Sequence, residues 1–319
     1  MKHPVVLFAA LLTLAGLALP GGAPSAGEAF PMQAKRVAEN VYAVITPTRE
    51  LPNPQNKGWN SNSAFVVTEG GVILFDTGSS TAIGLGLKSV IAGVTKTPVR
   101  WIVNSHSHGD HWLGNAVFKD TVEAIYATTR TRDKIAANGA TWVGRFDRMT
   151  KGATGRSAVL PPDTLIDGEA ELVLGGVKVS FFPSGNSHTT GDLLMWLPES
   201  RVLVPGDVVY SDRMPSTGES NLRQWIKCLG DIIAMDPAAV IPGHGKVTDL
   251  EGVKRLRSLL QAFWAAVAEG YEAGKLDYQM AADVTVALGA YSADFPGLAE
   301  KVKRDIQGVY LQVEEASFN

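Results

Sequence analysis

Eight consecutive residues, Asn104-Ser105-His106-Ser107-His108-Gly109-Asp110-His111, hold three of the chain's six histidines and an aspartate. Histidine is rarely used to fill a core, and a cluster bracketed by Ser and Gly would fill one badly. The residue types suit a metal instead. Neutral imidazole is the commonest ligand of zinc-like ions, and a neighbouring carboxylate serves the same borderline-hard cations. A loop reading H-x-H-x-D-H can turn alternate side chains toward one ion and the remaining pair toward a second. A solvated histidine-rich loop or satisfied structural histidines are the competing readings; they weaken if the remaining histidines also stand at strand ends.

The elements that must position these residues can be read from periodicity and punctuation. Val37 to Thr46 reads as a first strand, Ala64 to Thr68 and Val72 to Phe75 as a hairpin ending in Asp76-Thr77-Gly78-Ser79, and Ala82 to Gly93 as a helix. The strand Arg100 to Asn104 delivers its carboxyl end into the histidine loop. Ala124 to Ala127 is another strand, followed by a helix over Thr129 to Gly139, while Thr141 to Arg156 is polar and has no clear assignment. Strands within Asp163 to Pro183 end at Gly185-Asn186-Ser187-His188. The pair Leu193 to Leu197 and Val202 to Val204 ends in Pro205-Gly206-Asp207. A helix over Trp225 to Met235 and a strand over Ala239 to Ile241 end in Pro242-Gly243-His244-Gly245. Five of the six histidines thus fall at strand ends, where α/β proteins form ligand sites. His106, His108, Asp110, His111, His188, Asp207 and His244 are candidate ligands. An ion of this kind takes about four ligands, so the set suits two ions with a shared carboxylate and a bridging solvent molecule.

The chain has 319 residues, 45% hydrophobic and 19% charged, enough for a sizeable core in one large or two small domains. Met1-Lys2-His3-Pro4, the apolar stretch Val5 to Leu19 and a small-residue exit read as a secretory signal peptide over residues 1–27, implying export to the periplasm or beyond the cell. No later stretch reaches the length of a membrane span, so no stable membrane association is expected after cleavage. Lys and Arg number 29 against 32 Asp and Glu, which offers no basic footprint for nucleic acid. Cys228 is the only cysteine, so no internal disulfide forms, and its amphipathic context reads as a small buried apolar residue. In the tail, Leu256, Leu259, Leu260, Phe263 and Val267, and again Leu298, Val302, Ile306, Val309 and Val313, form stripes expected to face the core.

Taken together, strand-terminal Asp76, the loop His106 to His111, the isolated His188, the Gly-Asp at Asp207 and the Gly-His-Gly at His244 resemble the metallo-β-lactamase superfamily, in that family's order and over about residues 37–250. The resemblance implies an α/β fold, an αβ/βα four-layer sandwich with a helical C-terminal tail: a domain over 28–250 and helices over 251–319 packed on it. It implies that His106, His108 and His188 hold one metal, that Asp110, His111 and His244 hold the second, that Asp207 bridges, and that Asp76 orients the histidine loop from behind. The best-known zinc β-lactamases carry cysteine where this chain has Asp207, which disfavours that type without excluding lactam cleavage. The signal peptide, the run Trp101 to Asn115 and the tail Val309 to Glu314 are similar to exported hydrolases that accompany quinoprotein or sulfur-oxidation systems.

The expectation is therefore an exported enzyme with two Zn2+ ions in which a metal-bridging hydroxide attacks the acyl carbon of a small ester, lactone, thioester or β-lactam. Asp110 is the expected catalytic residue, orienting the hydroxide and passing a proton to the leaving group. A persulfide dioxygenase-like enzyme with one iron and a non-catalytic metal or cofactor carrier of a redox system are the alternatives. Substrate contacts are less sharply marked: Trp112 and Asn115 follow the loop, Trp59, Arg213 and Asn221 stand in loops that can border a cleft, and Arg213 reads more readily as a solvated surface residue.

Overall fold

Two sheets are built from strands whose apolar residues need cover on both faces. The computed structural model describes Met1, residues 32–155 and residues 157–318; the signal-peptide reading falls outside the described residues apart from Met1. The first sheet takes β1 (Ala34–Ala38), β2 (Val41–Val44), β3 (Ser63–Val67), β4 (Val72–Phe75), β5 (Val99–Val103), β6 (Ala124–Ala127) and β7 (Thr164–Leu165) in that spatial order. The second takes β8 (Ala170–Leu174), β9 (Val177–Pro183), β10 (Leu193–Leu197), β11 (Val202–Tyr210) and β12 (Ala239–His244) in the order β12-β11-β10-β9-β8. Their inner faces meet in one apolar layer, where Ala64, Val66, Ile73 and Phe75 of the first sheet share a cluster with Phe181, Met195, Val204 and Ile241 of the second.

Helices cover the outer faces. α1 (Thr81–Val94) starts where the Ser80 side chain accepts from the Ile83 N–H, and it lays Ile83, Leu87 and Ile91 on Phe65, Leu74 and Ile102. A single turn, α2 (Gly109–Trp112), closes the histidine loop, and α3 (Thr129–Met149) packs Ile135 and Phe146 against Trp112 and Leu113. On the other side α4 (Leu222–Ala234), α5 (Leu250–Glu272), α6 (Asp277–Ala287) and α7 (Leu298–Ser317) share one cluster with Leu194, Leu203, Val209 and Val240 of the second sheet. The order helix, sheet, sheet, helix is the expected αβ/βα sandwich, and the stripes expected on the tail helices are buried, from Leu256 through Val313. No helix among the described residues is long and apolar enough to cross a membrane.

Three local expectations need correction. Val37 to Thr46 is not one strand: Asn40 takes a positive φ of 60° and folds the segment into the β1–β2 hairpin. α3 does not stop at Gly139 but runs ten residues further, to Met149, because Trp142 and Phe146 continue its apolar face. β11 does not end at Val204; after a register shift at Gly206 it resumes pairing with β12 as far as Tyr210. Gly206 sits at φ +55°, and a Cβ there would lie 2.4 Å from that of Ser105, so only glycine lets β11 pass so close to the histidine loop.

Because α5 to α7 bury their stripes in the same cluster as β10 to β12, they should unfold together with the sheets. Phe263→Ala empties a fully buried ring site and should cost about 3–5 kcal/mol. In urea unfolding this is read as a lower midpoint with one transition shared by near- and far-UV circular dichroism; two separated transitions would show the helices to be an independent unit.

Candidate metal centre

Strand ends from both sheets supply the centre, and hydrogen bonds tie the sheets together beneath it. Asp76 follows β4 at a φ of 58°, which is rare outside glycine and turns its carboxylate back under the next loop. One oxygen accepts from the Ser105 N–H at 2.8 Å; the other accepts from the Ser105 hydroxyl at 2.7 Å and from His111 Nδ1 at 2.7 Å. Since the Ser105 hydroxyl donates to Asp76, its oxygen is left to accept from His106 Nδ1 at 2.9 Å. This sets the tautomer of His106 and His111 alike and leaves Nε2 of both free to face inward. His244 is fixed in the same way, with Nδ1 donating to the Asn60 carbonyl at 2.7 Å. The Ser105 carbonyl accepts from Leu193 N–H at 2.8 Å, and Asn62 N–H donates to the Gly243 carbonyl at 2.8 Å, so each sheet holds the other's ligand loop.

The seven candidate ligands come together as two groups, His106, His108, His188 and Asp207, and Asp110, His111 and His244, each with its nitrogen or oxygen atoms within 4.8 Å of one another. In the first group His108 Nδ1 lies 3.0 Å from His106 Nε2 and 3.2 Å from His188 Nε2. Asp207 lies between the groups: Oδ2 is 3.4 Å from His188 Nε2 and 3.2 Å from His244 Nε2, while Oδ1 is 3.3 Å from His111 Nε2. Asp110 Oδ2 lies 3.5 Å from His244 Nε2 and accepts from Asn60 Nδ2 at 3.2 Å. His108 is half-buried and the other six are buried.

Electrostatics show what such a site demands. Burial alone would strip the proton from the His111 imidazolium, but Asp207, Asp110 and Asp76 outweigh it and raise its pKa to about 10. Burial dominates at His188, which falls to about 3, and at His106, which falls well below the usual imidazole range. Desolvation works against ionising Asp207 too, yet His244, His111 and His106 hold it well below the carboxylate range. The protein thus keeps three carboxylates around one proton and presents unprotonated imidazoles beside them. His111 Nε2 and Asp207 Oδ1 are both buried without a hydrogen-bond partner, and a buried N–H and carboxylate oxygen left unpaired are a standing cost that a metal ion in the proton's place would remove. The donor set, imidazole nitrogens and carboxylate oxygens, fits divalent ions of the zinc type.

The centre forms the floor of a cleft of about 440 Å3. Of the residues expected to border it, Trp59, Trp112, Asn115 and Asn221 do not. Trp59 and Trp112 are buried with their indole N–H groups on the Ser61 and Ser107 carbonyls; Asn115 braces Asn104 and Thr77; Asn221 caps α4. Arg213 does line the cleft, but it is 8% exposed rather than a solvated surface residue. Trp142, Phe146 and Met149 of α3 line it as well, and their i, i+4, i+7 spacing was the signal for them. Tyr210, whose hydroxyl donates to Asp207 Oδ2, and Glu219, with Oε2 3.8 Å from His108 Nε2, also escape a search confined to ligand motifs.

The profile of the metallo-beta-lactamase superfamily matches residues 56–244. The metallo-beta-lactamase IND-1 of Chryseobacterium indologenes is 28% identical over 193 residues, 59% of this chain and 73% of that protein. A metallo-beta-lactamase structure from Pontibacter korlensis superposes with a TM-score of 0.59 at 21% identity, covering 72% of this chain and 99% of its own. A double mutant of the sec-alkyl sulfatase PisA1 superposes with a TM-score of 0.68 at 15% identity, covering 90% of this chain, which spans about half (52%) of that one. Profile, relatives and fold agree with the order of the strand-end motifs: the chain belongs to the metallo-beta-lactamase superfamily and is a metal-dependent hydrolase.

Proposed function

We propose that this chain is an exported dinuclear zinc hydrolase that cleaves an acyl bond in a small ester, lactone, thioester or β-lactam. His106, His108 and His188 would hold one ion and Asp110, His111 and His244 the other, with Asp207 placed to serve both. The observation that carries the reading is the position of the Asp207 carboxylate, within 3.2 to 3.4 Å of nitrogens from both groups. A single-ion oxidase has no need of a complete second group, and a carrier has no need of a cleft above it. Export rests on the pattern of residues 1–27.

Bound divalent ions supply Lewis acidity and bring the pKa of a water molecule down to about 7. The side chains do the rest. Asp110 faces the cleft, its Oδ2 held by Asn60, and from there it orients the attacking water and hands its proton to the leaving group. Asp76, acting through Ser105 and directly on His111, keeps the imidazoles aimed at the floor. Tyr210 steadies Asp207 from the cleft side, and Glu219 stands behind His108.

Elemental analysis of the purified protein should find two zinc ions per chain and fewer in Asp207→Ala; one iron with oxygen uptake would overturn the reading. In a screen of lactam, lactone, ester and thioester compounds, Asp110→Asn should lower turnover about a hundredfold or more while the His106-His108-His188 ion is retained; equal loss of turnover and of that ion would reject the catalytic role. The proton held by His111 yields a third expectation. Loading the Asp110-His111-His244 group at pH 7 must expel that proton, so its zinc affinity should rise roughly tenfold per pH unit below the pKa of about 10. Calorimetry in buffers of different ionisation enthalpy should therefore register about one proton released on this step, and none for the ion bound beside the unprotonated His188.

A further inference from the structure

The family profile ends at residue 244, yet the cleft does not. Lys301, Arg304 and Asp305 of α7 line its rim. The helix is fastened to the loop between β11 and α4 along that loop's length: Met214 N–H to the Pro296 carbonyl at 3.0 Å, Arg304 Nη2 to the Ser216 hydroxyl at 2.8 Å, Thr217 N–H to Asp305 Oδ2 at 2.8 Å and Gln312 Nε2 to the Ser220 carbonyl at 2.8 Å. That loop carries Arg213. α7 therefore both contributes to the wall and holds the other residues of it in place.

The charges of this wall are unequally matched. Asp305 is committed to Arg304, which meets both its oxygens at 2.6 and 3.0 Å. Asp212, the acid beside Arg213, is taken by Arg49, and Glu219 stands at His108. Among the described residues Arg213 and Lys301 have no carboxylate at ion-pair distance. The Arg213 guanidinium has His244 Nδ1 3.2 Å from Nη1, and that nitrogen already donates to Asn60. Arg213, 8% exposed as a residue, thus lines the cleft with no carboxylate or carbonyl among the described residues accepting from its guanidinium. Lys301 is half-buried beside it; desolvation, then Arg304 and Arg213, push its ammonium down to about 8, outweighing the opposite pull of Asp305 and Asp207. Opposite stand Trp142, Phe146 and Met149 of α3, with Leu51, 56% exposed, at the mouth.

We propose that Arg213 and Lys301 together bind an oxyanion group of the ligand, carboxylate or sulfate in type, whose hydrocarbon part lies along Trp142, Phe146 and Met149. The substrate is then an amphiphilic anion, and the C-terminal helix is part of its binding site. Calling this ligand the substrate rests on the hydrolase reading above; the anion site itself does not. Two cations without carboxylate partners favour a charged oxygen group far more than a neutral polar one, and the guanidinium can meet it with two parallel N–H groups.

Calorimetric titration of the zinc-loaded protein tests this with octyl sulfate and octanoate below their micellar concentrations as probes. Both should bind, and octyl glucoside and inorganic sulfate should each bind more weakly, one lacking the charge and the other the chain. Arg213→Ala and Lys301→Ala should each weaken the anionic probes about tenfold or more, and the double variant should lose less than the product of the two. Lys301→Arg should stay within about threefold of wild type, since the charge remains, and Lys303→Ala, on an exposed position of the same helix, should change nothing. Octyl sulfate bound as tightly by both alanine variants as by wild type, or octyl glucoside bound as tightly as octyl sulfate, would overturn the proposal. Binding is read without turnover: absent hydrolysis with this pattern intact removes the hydrolase reading alone, whereas acyl hydrolysis by a protein whose variants bind unchanged removes the anion site alone.

Discussion

Three buried carboxylates, Asp76, Asp110 and Asp207, converge on one imidazole, and most of the architecture follows from keeping that arrangement together. Like charges brought out of water repel one another and lose hydration, so the cluster survives only with cationic charge at its centre. In the bare protein a proton on His111 serves. That proton sits on Nε2, since Nδ1 already donates to Asp76, and with Nε2 3.3 Å from Asp207 Oδ1 it makes no hydrogen bond. A divalent ion compensates more charge and uses the lone pairs of several imidazoles at once. The chemistry of these donors suits such an ion.

Holding such a cluster requires rigidity, and the two sheets supply it. Asp76 and the histidine loop come from adjacent parallel strands of one sheet, Asp207 and His244 from adjacent parallel strands of the other. A shared apolar layer fixes the distance between the sheets, and cross-sheet hydrogen bonds at Ser105 and Asn62 fix their alignment. The strained or crowded backbone lies where the loops approach: Asp76 at positive φ, Gly206 against Ser105, and Gly243, where a Cβ would lie 2.0 Å from Asp207 Oδ1. Packing elsewhere in the sandwich supports these positions, as expected where function demands a conformation that local propensity does not favour.

This division explains what the amino-acid sequence discloses and what it conceals. The ligand-type residues were legible because histidine is scarce in this chain and every copy in the described structure sits beside a Gly, Ser or Asp at a strand end. The sandwich was legible because alternating apolar strands and striped helices leave few ways to cover both sheets. The cleft wall was not. Trp142, Phe146 and Met149 look like the core-facing stripe of any helix, and half of that stripe does face the core, through Phe146. Trp59 and Trp112 drew attention as aromatics near the motif, yet both are anchors within it. Arg213 looked like a surface residue because its neighbourhood is polar; the loop that carries it is fastened by α7, whose contact with residues 217–222 spans about ninety positions of chain and leaves no local signature.

The same long-range contact bears on how the C-terminal helices differ from mere cover. Their apolar stripes, Leu256 to Val267 and Leu298 to Val313, account for packing on the second sheet. They do not account for Lys301, Arg304 and Asp305, which occupy the side of α7 turned toward the cleft, nor for Asp305, 5% exposed and committed to both Arg304 and the Thr217 amide. A helix needed only as a lid for apolar surface gains nothing from burying an acid or from crowding cations beside it, since each charge drawn from water costs several kcal/mol before its partners offset it. The Arg304–Asp305 pair meets that cost internally and fastens the loop. Among the described residues Arg213 and Lys301 form no ion pair of that kind, and on the proposal above an anion from outside would complete the stabilisation of this wall.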